Sequence, residues 1–144
     1  MIEKDTVRLL RECDAGVKMG VSSIEDVIDK IKSDSFRNCL DDCKDEHEKL
    51  TGEIRELLDK YHDDGKQPSA MAQGMSKVKT NVKMAVDSSD STIADLLTDG
   101  CNMGVKSLSR YLNQYAAADE TSKDITKKLI KIEEKLAVDM RSYL

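Results

Sequence analysis

Four side chains in this sequence could share a chemical task. Cys43 and His47 lie four residues apart in a stretch of helical periodicity, which puts both on one face, with Cys39 a further turn away. Asp14 falls in the apolar register of the first helical segment, and Glu133 joins the inward positions of the last. Thiolate, imidazole and carboxylate together are the donor types a zinc ion takes. Asp14, Cys43, His47 and Glu133 are therefore the candidate metal ligands, with zinc or iron as the metal. Counting back from the turn between the first two segments sets Asp14 within about one helical turn of the level of His47. The same residues have a plainer reading. Free cysteines are often small buried hydrophobes, and His47 would then be a core histidine hydrogen-bonded to Asp14 or to a backbone group.

Other chemistries find less support. The glycine-containing stretches do not form a phosphate loop. A cysteine and a histidine one turn apart on a single helix are poorly placed to approach a substrate as nucleophile and base. No acid–base pair or nucleophile constellation stands out, so the expectation is a protein that is not an enzyme.

The elements that must position these residues follow from apolar spacing. A first helix is expected over 4–31, with Leu10, Val17, Val21, Ile24, Ile28 and Ile31 on one stripe. Ser33 or Asp34 can cap a second helix that reaches about residue 63, with Phe36, Leu40, Cys43, His47, Leu50, Ile54, Leu57 and Tyr61 inward. So short a connection implies an antiparallel pair. Gly65 and Pro68, the single proline, mark a break, and a third, Met- and Ala-rich segment is expected over 69–87. Its Met71, Met75 and Met84 would cover the open side of a bundle or offer an adaptable contact surface. A fourth helix over 92–117 carries Ile93, Leu97, Cys101, Leu108, Tyr111 and Tyr115, and a fifth, capped by Thr121 or Ser122, runs to the C-terminus.

Composition agrees. The 144 residues fit one domain, 1–144, and 35% are charged while 3% are aromatic, as in helical proteins with Leu/Ile/Val/Met/Ala cores. A net charge of −5 without a basic stripe argues against nucleic acid. No apolar run approaches the length that crosses a bilayer, and the charged start lacks the features of a secretory signal. The expectation is a cytoplasmic protein with no membrane contact, whose Cys13, Cys39, Cys43 and Cys101 are reduced thiols.

The two halves also resemble each other. Cys13-Asp14-Ala15-Gly16-Val17-Lys18 matches Cys101-Asn102-Met103-Gly104-Val105-Lys106, and the Glu48-to-Arg55 stretch matches Glu134 to Arg141. The matches share one order and a nearly equal offset. They imply two related helix pairs about an approximate two-fold, joined by a crossover. Gly16 and Gly20, and likewise Gly100 and Gly104, would let the first and fourth helices approach closely.

With the Phe36-to-Tyr61 stripe, the Gly65-Lys66-Gln67-Pro68-Ser69 break and the Tyr111 register, the chain resembles the ferritin-like superfamily. In particular it resembles small bacterial ferritin-like bundles of unassigned function. The resemblance implies an all-α four-helix bundle of two repeated helical hairpins joined by a crossover helix. It also implies a di-metal centre built from two Glu and two Glu-x-x-His motifs. Here Lys44 stands three residues before His47, Leu136 three after Glu133, Asn102 where the repeat of Asp14 falls, and Gly104 seven before Tyr111. The di-iron set is thus degraded, and oxidase or ferroxidase activity loses its basis. The expected role is that of a non-catalytic bundle acting through protein–protein contacts or self-association, with an atypical Cys/His/carboxylate metal site as the alternative.

Overall fold

The computed structural model describes residues 2–69, 81 and 89–144. Among them are four long helices and no strand: α1 (Ile2–Val27), α2 (Asp34–Lys60), α3 (Asp90–Gln114) and α4 (Glu120–Met140). The segment expected over 69–87, with its three methionines, lies outside the described residues apart from Ser69 and Asn81.

Helices α2, α3 and α4 each start where a side-chain oxygen takes an orphan amide. Ser33 accepts from the Phe36 amide, Ser89 from that of Thr92, and Asp119 from that of Ser122. The last cap therefore falls on Asp119, not on Thr121 or Ser122, and α4 begins at Glu120. The first helix is also shorter than its stripe suggests. It tightens to a 3-10 turn over Ile28–Lys30, so that Ile31 turns extended and is buried in the core without continuing the helix.

Contacts at the ends fix the helix directions. Asp90, at the start of α3, accepts from the Lys32 and Ser33 amides at 2.9 Å each, next to the α1–α2 turn. At the opposite end, the Ala117 amide donates to Asp5 and the Asp119 amide to Thr6 of α1. The C-terminal Tyr143 comes back to α2, its ring stacked on Phe36 with centroids 4.3 Å apart. Accordingly α1 and α4 run one way while α2 and α3 run the other. α1 and α4 each pack against all three other helices.

The core is divided in two. One cluster, around Ile24, Phe36, Leu40, Ile93, Leu97 and Met140, fills the end near the α1–α2 turn. The other, around Leu10, Val17, Leu50, Ile54, Leu108 and Leu129, fills the opposite end. Fully burying side chains of this size stabilises by about 1.5–3 kcal/mol each relative to exposure. Along every helix the clusters change over at one level. That level lies between Cys43 and Leu50 on α2 and between Leu129 and Leu136 on α4.

Candidate functional site

The changeover level is polar. His47 of α2 is fully buried there, and Glu133 of α4, nine-tenths buried, meets it: His47 Nε2 lies 3.0 Å from Glu133 Oε1. The other ring nitrogen, Nδ1, lies 2.8 Å from the Cys43 carbonyl oxygen one turn back, which can only accept, so Nδ1 carries a hydrogen. The Cys43 sulfur stands 3.6 Å from the same nitrogen. Burial pushes the imidazole toward its neutral form, but the hydrogen bonds to Cys43 and Glu133 outweigh it, and the His47 pKa rises from 6.5 to about 10. These hydrogen bonds favour the charged ring, with both nitrogens donating, between a carbonyl and a carboxylate.

Two glycines make room for this pair. A Cβ at Gly20 of α1 would lie 2.6 Å from His47 Nε2, and one at Gly104 of α3 would lie 3.5 Å from Glu133 Oε2. These glycines admit side chains from the facing helices; what lies nearest to them is not helix backbone, contrary to the close-approach expectation. Gly16 meets the ends of Leu108 and Leu129 at ordinary contact distance, and around Gly100 the space is open. The layer thus takes one residue from each helix: glycine, histidine, glycine and glutamate.

The four cysteines divide by surroundings. Cys13 sits in the cluster near the start of α1, 3.1 Å from the Thr126 hydroxyl. That hydroxyl already donates to the Ser122 carbonyl, so the thiol donates to it. Burial raises the Cys13 thiol to about 12. Cys101 is buried near the polar layer, and its thiol is pushed up by burial and by the Glu133 carboxylate beside it. Cys39, half-buried, lies 3.7 Å from Asp139 and is raised to about 11 by burial and that neighbouring charge.

Of the expected metal ligands, the structure brings Cys43, His47 and Glu133 into one neighbourhood and places Asp14 elsewhere. Asp14 is buried, but it lies six residues before Gly20 on α1, roughly 9 Å along the axis from the His47 level. It accepts from Lys18 Nζ at 2.8 Å and from the Lys66 amide at 2.9 Å, tying down the segment after α2. Of the two partners expected for a core His47, the backbone group is present as the Cys43 carbonyl, while Glu133 stands where Asp14 was expected. Cys43 and Glu133, moreover, face opposite nitrogens of the ring, so one ion could not take both together with the imidazole. Among the described residues, no three His, Cys, Asp or Glu side chains are arranged to hold a metal ion.

The segment after α2 forms its own polar assembly. Arg55 donates to the Asp63 and Asp64 carbonyls, while Arg11 reaches the Asp63 carboxylate at 2.8 Å. Gly65 has φ +86°, and a side chain there would run into the Asp14 carboxylate, so two independent constraints require glycine. Sequence reading marked Gly65 as a helix-end signal but had no means of seeing its contact with Asp14. Tyr111 lies apart from the central pair, near Glu12, and burial together with that charge raises its phenol.

Comparisons with protein-family models, with curated proteins and with solved structures gave no match. Among the described residues no helix is long and apolar enough to cross a membrane.

Proposed function

We propose that this chain is a ferritin-like bundle whose metal-binding centre has been replaced by an internal imidazolium–carboxylate pair, and that it acts without catalysis, through contacts with other proteins or with itself. The observation that carries this reading is the 3.0 Å contact between His47 and Glu133 at mid-bundle, where ferritin-like proteins place their metal ligands. A ring donating through both nitrogens has no lone pair for a metal and none with which to act as a base. Gly104, in the position from which an acid could reach the centre, instead gives way to the Glu133 carboxylate.

Two further observations support the ferritin-like topology. Helices α2 and α3 run in the same direction, so a connection between them has to cover the length of the bundle. Matching Glu48 to Glu134 also makes His47 and Glu133 repeat equivalents, and equivalents meeting at the centre is what an approximate two-fold through that point would produce.

The alternative reading, an atypical zinc or iron site, rests on the Cys43 sulfur lying 3.6 Å from His47 Nδ1 with Cys101 in the same cluster. Metal analysis of protein purified without chelator separates the two. Negligible metal, with melting unchanged by chelator, supports the closed pair. Near-stoichiometric zinc or iron that disappears in the Cys43→Ala/His47→Ala variant would overturn it.

A further inference from the structure

Helices α2 and α4 pack side by side, linked at the Ser35–Tyr143, Cys39–Asp139 and Glu53–Lys128 contacts, and together present one broad face to solvent. Their solvent rows carry opposite charge. On α2, Asp41, Asp45, Glu48 and Glu56 recur at helical spacing directly opposite the buried stripe, and all four are exposed. On α4, Lys128, Lys131 and Lys135 recur at steps of three and four, exposed, and lead to Val138, which is 50% exposed. Among the described residues no ion pair takes up those four acids or Lys131 and Lys135. Lys49 and Lys60 on α2, and Asp124 and Glu134 on α4, interrupt the segregation without reversing it.

A second feature of the α2 row has no explanation inside the molecule. One of its positions is Gly52, where an added Cβ would meet no other side chain within 4 Å among the described residues. Glycine in an exposed helix interior costs about 1 kcal/mol relative to alanine. Where no neighbouring side chain among the described residues needs the space, a surface approaching from outside would use it.

We infer that the α2–α4 face is a docking surface for a second copy of this chain, related by a two-fold parallel to the bundle axis. That operator lays the lysine row of each copy over the acidic row of the other. It also preserves level along the bundle, so Lys131 comes opposite Glu48 and Lys135 opposite Asp45. A purely basic partner would meet the lysines of α4, and a purely acidic one the acids of α2. A copy turned about this axis satisfies both rows at once, as a self-complementary two-fold contact requires. Val138, 50% exposed, adds an apolar contact at one end of the same face, beside a mostly polar recess between the two helices that includes Asp42 and Lys135.

The inference rests on the interaction reading above and adds its partner and surface. It is tested by sedimentation of the full chain with charge-reversed variants. Raising salt from about 0.01 M to about 1 M shortens the screening length from about 30 Å to about 3 Å, and the dimer dissociation constant should rise at least tenfold. Lys131→Glu/Lys135→Glu and Asp45→Lys/Glu48→Lys should each be monomeric alone, with helical signal and melting retained. Mixed together they should form a heterodimer, because each then offers the charge the other has lost. A wild-type monomer at low salt, a dimer unaffected by either reversal, or variants that fail to pair on mixing would each overturn the inference. None of these results bears on metal content, so failure here is distinguishable from failure of the closed-centre reading.

Discussion

His47 Nε2 and Glu133 Oε1 meet at 3.0 Å in the layer that separates the two hydrophobic clusters of the bundle. Neither residue is at the surface, and among the described residues every buried side-chain nitrogen and oxygen has a hydrogen-bond partner. A buried pair of this kind is costly to break from one side, because the remaining charge keeps its desolvation penalty and loses its partner.

Single and double substitutions should therefore diverge. His47→Leu or Glu133→Leu alone is expected to destabilise by about 3–5 kcal/mol, whereas the double variant should recover much of that loss. Urea denaturation of the four proteins makes the comparison, and a double variant as damaged as the sum of the two singles would argue against the pairing.

Stability should also fall with alkali in a defined window. The His47 pKa is higher in the folded chain, about 10, than the 6.5 of the unfolded chain, so its contribution is complete below 6.5 and is lost as pH rises toward 10. The slope approaches about 1.4 kcal/mol per pH unit at its steepest. The raised thiols act in the same sense, but only as unfolded cysteines ionise near 9.0, so the lower part of the window belongs to His47. Stability that is flat or rising between pH 6.5 and 9.0 would contradict the charged ring.

The glycines of the polar layer should respond unequally to one methyl group. Gly20→Ala puts a Cβ at 2.6 Å from the pinned His47 ring and is expected to cost about 1–3 kcal/mol. At Gly104 the nearest atom is 3.5 Å away, so Gly104→Ala should be neutral or stabilise by up to about 1 kcal/mol. Thermal melting of both variants checks the difference. Equal effects would mean that His47 does not hold Gly20 to its size.

Thiol labelling of the native protein should report Cys39 alone, and slowly. Cys13, Cys43 and Cys101 are buried, and Cys39 is half-exposed beside Asp139, which keeps its thiolate scarce. In the Cys39→Ser variant, fast modification of a remaining thiol without denaturant would show that the clusters are open.

Most of the apolar stripe positions on the four helices were legible in the sequence because helical period dictates which positions turn inward. At the end of α2, however, Leu58 and not Leu57 is fully buried, and Tyr61, Tyr111 and Tyr115 are half-buried. Cys43, His47 and Glu133 were legible as inward polar residues for the same reason. Period gives the face and not the partner, however. Asp14 shares the inward register, yet it is engaged by Lys66 from a segment that folds back over α1, and no spacing rule encodes that return. The 2.6 Å approach of His47 to Gly20 was hidden likewise, since it depends on how two helices are offset along their axes. The α4 cap moved to Asp119 because three neighbouring residues could all serve, and local chemistry does not choose among them.

The closed centre rests most directly on the state of the His47 ring. Nitrogen NMR of the ring at about pH 8, above the ordinary histidine pKa, reads it in the full chain with and without added zinc. The prediction is that both nitrogens carry hydrogen and that zinc changes neither signal. A neutral ring, or an Nε2 signal that moves as zinc binds, would contradict a centre closed by His47 and Glu133.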